Sequence, residues 1–207
     1  MNQNYRLNKD NLLDALADWD RGLAISVLVV ACGGTALTLQ GYKESTKDVD
    51  FLVPFPAQFK LLLKFLENSG YKRVTGYGYK HPEQPWIFDL FSGQTIFQTE
   101  LLDPVHEPGN HKVVKIYDKL TLGCLNSEDL IISKMFRGTQ VDVQDSVLLI
   151  KKENLDLESL AERYQETASY YYNSQDCKKN LKYLIDELRE EGIDSGALKS
   201  MSDKWTP

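Results

Sequence analysis

The stretch VVACGGTALTLQGYKESTKDVDFLV, residues 29–53, carries two aspartates, Asp48 and Asp50, within an apolar run. In an extended strand, residues i and i+2 project to the same side. The two carboxylates therefore share a face, while Val49 and Phe51 point away. Neighbouring like charges repel and resist burial. Such a strand either leaves its acids in water or gathers them around a cation, and hard oxygen ligands suit Mg²⁺ or Mn²⁺. Two neighbouring features favour the cation. Gly33-Gly34 falls between a buried-type strand and a helix, where backbone N–H groups can approach a phosphate. A third acid, Asp89, stands among apolar residues in WIFDLF. Two metal ions held by three carboxylates are a recurrent device for in-line phosphoryl transfer.

The rest of the chain supplies the frame. Residues 8–20 read as an amphipathic helix with Asn8 or Asn11 as cap. AISVLVVAC is a buried strand, TALTLQGY a short helix and DVDFLV a strand. PAQFKLLLKFLENSG is a helix started by Pro56 and closed by Gly70, with Leu61, Leu62, Phe65 and Leu66 on one side. YKRVTGYGY, PWIFDLFS and HKVVKIYD read as strands. From Asn126 onward the pattern is helical, in NSEDLIISKMFRG, DVQDSVLLIKKEN, LDLESLAERYQETA and SQDCKKNLKYLIDELREEG. The expected class is α/β: a mixed-sheet core over residues 1–125 and a helical C-terminal region, 126–207, packed on it. Residues 126–207 hold 16 acids against 11 basic residues, so the helical part carries most of the negative charge.

The combination resembles the nucleotidyltransferase superfamily signature: Gly33-Gly34, a spacer over residues 35–47, Asp48-Val49-Asp50-Phe51, then Asp89 on a later strand. GGTALTLQGYKESTKDVDFLV is similar to the AbiEii-type branch, which includes toxins of abortive-infection systems. EDLIISKMFRGTQVDVQD resembles that branch's later motif, a helix lysine followed by Asp-x-x-Asp. Lys43-Glu44 departs from the arginine that toxin members often carry ahead of the acidic strand. The resemblance covers roughly residues 25–150 and implies the following roles. Asp48, Asp50 and Asp89 would ligate Mg²⁺ or Mn²⁺, and Asp89 would also help deprotonate the acceptor hydroxyl. Gly33 and Gly34 would cradle the triphosphate, with Thr35 or Ser45 as hydroxyl donors. Lys134 would neutralise phosphate charge, and Asp142 is an additional candidate. The reaction would move a nucleoside monophosphate from an NTP to a hydroxyl on RNA, protein or a small molecule. A protein antitoxin is an expected partner if the chain is toxin-like. The alternative is a non-catalytic nucleotide-sensing or partner-binding module that keeps the fold.

Other residues admit plainer readings. Lys134, on an apolar helix face, could snorkel to solvent. Asp142 could cap the following helix, and Asp145 reads as a solvated first-turn acid. YKRVTGYGYK interleaves tyrosines with Lys72, Arg73 and Lys80; it is either a nucleic-acid contact or an ordinary hairpin. YYYN at 170–173 reads as a helix junction. His81, His106 and His111 have no ligand spacing. A net charge of -6 argues against nucleic-acid binding by bulk electrostatics, leaving a local basic groove open. Cys32, Cys124 and Cys177 form no CxxC pair, as expected of reduced thiols in a cytoplasmic protein. The longest apolar run is about half a membrane span.

Overall fold

A computed structural model describes residues 5–205. The chain divides into two compact units, Met1–Phe97 with Asp103–Asn126, and Gln98–Leu102 with Ser127–Pro207. Its elements run α1 (Lys9–Gly22), β1 (Val27–Ala31), α2 (Gly33–Leu39), β2 (Val49–Val53), α3 (Pro56–Asn68), β3 (Lys72–Arg73), β4 (Gly78–Lys80), β5 (Phe88–Ser92), β6 (Thr95–Ile96), β7 (Thr99–Glu100), β8 (His111–Ile116), β9 (Leu120–Leu125), then α4 (Ser127–Arg137), α5 (Gln140–Glu153), α6 (Leu157–Ser169), α7 (Ser174–Glu190) and α8 (Gly196–Lys204). The class is the expected α/β.

The first unit is built on a seven-stranded mixed sheet of order β3-β4-β5-β2-β1-β9-β8. β1 and β2 are antiparallel, while β1 pairs parallel with β9 and β2 parallel with β5. These four central strands are rich in buried Val, Leu and Phe, as strands covered on both faces must be. On one face Trp19 of α1 meets Phe51, Phe88 and Tyr71 at ring-centroid distances of 6.3, 4.6 and 6.0 Å. Trp19 Nε1 donates to Tyr71 Oη at 3.1 Å, so the cluster also satisfies its polar handle. Asn8 caps α1 by accepting from the Asn11 N–H. At the other end, Asp20 Oδ1 accepts the N–H groups of Lys119 and Leu120 at 2.7 and 2.8 Å. Burial opposes the charge of Asp20, but these backbone bonds outweigh it and lower its pKa.

Two local readings change. Within α3, Leu62 and Leu66 are buried whereas Leu61 is 46% exposed, because the helix presents a narrower stripe than its four apolar residues suggest. Strand β9 lies beside β1, yet the sequence reading passed over LTLGCL. Its glycine speaks against a strand on propensity, but the sheet needs it: a Cβ at Gly123 would stand 2.7 Å from the His111 ring.

The second unit is helical around Leu130, Ile131, Met135, Tyr164, Leu181, Leu184 and Leu188, all buried. Tyr164 donates to the Cys177 carbonyl at 2.7 Å, and Phe136 meets its ring edge-on at 5.5 Å. Helix α5 is capped by Thr139, with Asp142 as the third residue of a capping box. The capping reading had placed Asp142 itself at the cap; threonine holds that position because its hydroxyl accepts the Asp142 N–H. Helix α8 was not anticipated. Tyr170 ends α6 at the expected junction. Cys32, Cys124 and Cys177 are buried and joined in no disulfide, and burial pushes the Cys124 and Cys177 thiols up to about 12. Among the described residues, no helix is long and apolar enough to cross a membrane.

Candidate active site

The predicted carboxylates Asp48, Asp50 and Asp89 all belong to the first unit. Strand β2 pairs parallel with β5 so that Asp50 stands directly beside Asp89. Registered partners share a face, which puts both acids on the side opposite Phe51 and Phe88. Asp48 is exposed, one residue before β2 begins, whereas Asp50 is only 7% exposed. Burial raises the Asp89 pKa above the ordinary carboxylate value, and the charge of Asp48 raises it further.

Backbone contacts hold this corner. The Asp48 carbonyl accepts from Thr46 Oγ1 at 2.8 Å and from Thr35 Oγ1 at 3.2 Å. Thr35 Oγ1 in turn accepts the Asp50 N–H at 2.9 Å, and the Asp50 carbonyl accepts the Cys32 N–H at 3.0 Å. The Thr35 hydroxyl proton is therefore engaged with the strand carrying the acids. Ser45 is held by Arg6, which donates to its Oγ at 2.8 Å and to its carbonyl at 2.9 Å.

Glycine makes the space. Gly33 opens α2 at φ +57°, and a Cβ there would collide with the Asp50 carboxylate. Both conformation and clearance restrict that position to glycine. Gly78, the partner of Asp89 across the β4–β5 pair, would place a Cβ 2.9 Å from Asp89 Oδ1 and 2.5 Å from Thr75 Oγ1. Gly78 and Thr46 were not picked out from the sequence. The signal for Gly78 was present in TGYGYK, a glycine inside a strand pattern, which marks close approach by a neighbour.

Among the described residues, no three His, Cys, Asp or Glu side chains are already drawn into a metal-holding group. What the fold supplies is chemistry of the right kind: Asp48 acting on Asp89 through space, and Asp50 beside Asp89 in register. Such hard oxygen donors fit Mg²⁺ or Mn²⁺, and a cation would relieve their repulsion.

The other candidates belong to the second unit. Lys134 is 2% exposed, with Nζ 2.8 Å from Asp145 and 3.8 Å from Asp142. Neither the solvent-snorkelling reading of Lys134 nor the solvated reading of Asp145 survives: α4 and α5 bury both, and each supplies the other's counter-charge. Arg137 donates to Asp142 at 2.8 and 2.5 Å, and Thr139 Oγ1 donates to it at 2.6 Å. Burial alone would raise the Asp142 pKa, but hydrogen bonds from Arg137 and Thr139 and the charges of Arg137 and Lys134 hold it below the ordinary value.

Known proteins share the fold that carries these residues. A family model for nucleotidyltransferases of unknown function (DUF6036) matches residues 10–191. Among solved structures, an antigenic nucleotidyltransferase-like protein from Paracoccidioides brasiliensis aligns over 94% of this chain and 95% of its own, at 18% identity and TM-score 0.52. ANT(2'')-Ia in complex with adenylyl-2''-tobramycin aligns over 76% of this chain and 95% of its own, at 12% identity and TM-score 0.52. The antibiotic-resistance factor ANT(2'')-Ia in solution aligns over 88% and 99%, at 12% identity and TM-score 0.51. At these identities the likeness is one of fold. No curated protein matches. The family match spans most of the chain, including the paired acidic strands and their glycine turn: the chain belongs to the nucleotidyltransferases of unknown function (DUF6036).

Proposed function

We propose that the chain transfers a nucleoside monophosphate from an NTP to a hydroxyl acceptor and releases pyrophosphate. The observation that carries this reading is the in-register pairing of Asp50 with Asp89, backed by a glycine turn that only a missing side chain lets close on Asp50. In this reading Asp48, Asp50 and Asp89 hold Mg²⁺ or Mn²⁺. When bound, the cation supplies charge neutralisation for the triphosphate and lowers the pKa of a bound oxygen.

The chain's own groups then have distinct tasks. The raised pKa of Asp89 suits it to take the proton from the acceptor hydroxyl at a carboxylate oxygen. Gly33 and Gly34 open α2, whose first-turn N–H groups lack partners within the helix and can receive phosphate oxygens. Ser45 would add a hydroxyl. Thr35 and Thr46 act through the backbone, fixing where Asp48 and Asp50 stand. A direct phosphate role for Lys134 requires that it leave Asp145.

The test is incubation with each labelled NTP, Mg²⁺ and total cellular RNA and protein. Label should pass to one fraction with wild type and to neither with Asp48→Asn. NTP binding without transfer to any fraction would favour the nucleotide-sensing module instead. If the acceptor is a cellular RNA, the reaction would make the chain toxin-like, as the abortive-infection resemblance implies. Expression without a protein antitoxin would then arrest growth.

A further inference from the structure

The first unit contains a cavity of about 330 Å³, and none of Asp48, Asp50 and Asp89 lines it. Its walls include Phe59 of α3, Arg73, Tyr77 and Tyr79 of the β3–β4 hairpin, and Phe91 and Phe97. That volume lies near the lower end of ligand pockets, roughly 300–1,000 Å³. Tyr77 is 48% exposed. Its ring centroid is 5.0 Å from that of Phe91 and 6.5 Å from that of Phe97. Phe91, 2% exposed, closes the wall behind Tyr77, whose ring stands open.

Charge distinguishes this region from the rest of the molecule. Between Pro54 and His81 stand Lys60, Lys64, Lys72, Arg73 and Lys80 against the single acid Glu67, in a chain whose net charge is -6. Lys60, Lys64 and Arg73 are exposed, and Phe59 and Leu63, each one residue before a lysine of α3, line the cavity. Lys72 and Lys80, registered partners, alternate with Arg73 and Tyr79 and face the other side of the hairpin. Arg73 donates from Nε to the Thr75 carbonyl at 3.2 Å and from Nη2 to the Gly76 carbonyl. Those bonds use two of five N–H donors and hold a side chain that lines the cavity.

We propose that this cavity and its basic rim bind single-stranded nucleic acid. One base stacks on the exposed ring of Tyr77 over the cavity, and flanking phosphates meet Arg73, Lys60 and Lys64. An exposed ring receives a base's π-face, and nearby cations track the backbone, which is the chemistry of strand-binding grooves. Duplex DNA or RNA offers no splayed base to such a cavity. The binding stands independently of the transferase reading; only the further role of the strand as acceptor rests on it.

Fluorescence anisotropy of the full chain tests this in EDTA without NTP, using labelled strands of about 12 nucleotides, a length such sites can span. RNA, DNA and pre-formed duplex are compared, and the RNA and DNA arms identify which strand is preferred. Single strands should bind and duplex should not. Tyr77→Ala should weaken binding about tenfold, as for one lost base stack. Arg73→Ala should weaken it and lower the salt slope by about one, with Arg73→Lys restoring part of the affinity. Both side chains are exposed, and matched urea transitions check that each variant folds. The proposal is overturned if wild type binds no strand at low salt, if both alanine variants bind like wild type, if duplex binds as tightly, or if a mononucleotide competes as well as the strand. Repeating the measurement with Asp48→Asn separates the two readings. Strand binding lost with transfer intact sinks this one alone, and binding intact without transfer sinks the other.

Discussion

Both units bury carboxylates, and they treat them in opposite ways. In the second unit, burial pushes the Asp142 pKa up, but Arg137, Thr139 and Lys134 more than reverse it. In the first, burial pushes Asp89 up and Asp48 adds to the shift. One cluster is electrostatically complete within its own unit; the other accumulates negative charge on a face guarded by glycines. Completed clusters hold helices together, as Lys134 and Asp145 hold α4 to α5. Clusters that add charge to charge call for a cation from outside, and perturbed carboxylates of this kind concentrate at functional sites.

The comparison is broken most severely by removing an acid from the first unit's cluster. Asp48→Asn or Asp50→Asn should abolish transfer while the fold persists, since losing one carboxylate removes a proposed metal ligand and relieves repulsion. Apo stability by urea unfolding should stay within about 0.5 kcal/mol of wild type or rise. Transfer at the wild-type rate in the double variant would dissolve the first half of the contrast.

Lys134→Ala should do the reverse, destabilising by about 3–5 kcal/mol because the buried Asp145 carboxylate loses the ammonium 2.8 Å from it. Lys134→Met combined with Asp145→Leu should recover most of that loss. NTP affinity in this double variant sharpens the assignment. A phosphate contact from Lys134 predicts affinity weaker by about 1.5–3 kcal/mol, whereas a purely internal pair predicts no change.

Smaller effects follow the pKa directions. Asp142 has a folded pKa below its ordinary value of 3.8. Its contribution is therefore complete above the unfolded value and lost as pH falls through the folded one. Asp142→Asn should cost roughly 1.5–3 kcal/mol at neutral pH and flatten the acid limb of a stability–pH curve. Asp89 has the opposite sign: its folded pKa lies above 3.8, so its contribution is present at lower pH and lost as pH rises from the unfolded value through the folded one. Asp89→Asn should leave neutral stability level or higher. A shallower acid limb in Asp89→Asn, or a gain in Asp142→Asn, would contradict the pairing pattern.

The smallest expected effect concerns Thr46. Thr46→Val removes the hydroxyl that donates to the Asp48 carbonyl and should cost about 1 kcal/mol of stability. Transfer should fall with it, and Thr46→Ser should restore both. Unchanged transfer in Thr46→Val would mean that the corner is held well enough by Thr35 alone.

Most of the acidic corner was legible because its signals are local. A glycine pair after a β-branched run, two acids two residues apart in an apolar strand, and an acid among aromatics each impose a constraint that neighbouring residues alone reveal. What was not legible depends on partners far away in the chain. Gly78 reads as an ordinary hairpin glycine until Asp89 is seen across the β4–β5 pair. Strand β9 was passed over because Gly123 lowers its propensity, and only His111 on the neighbouring strand explains that glycine.

By itself the sequence determined that Asp50 alternates with the apolar residues of its strand, the amphipathic helices, and membership among the nucleotidyltransferases; the AbiEii-type branch is not what the family match names. Backbone periodicity and backbone freedom are short-range properties, written in consecutive residues. Tertiary structure alone decided which charges were matched. In the sequence Asp145 reads as a solvated first-turn acid and Asp89 as an acid among apolar residues. Folding set the first 2.8 Å from a buried ammonium and the second within reach of another carboxylate. The field at a charged group depends on burial and on every nearby charge, and those distances exist only once the chain has folded.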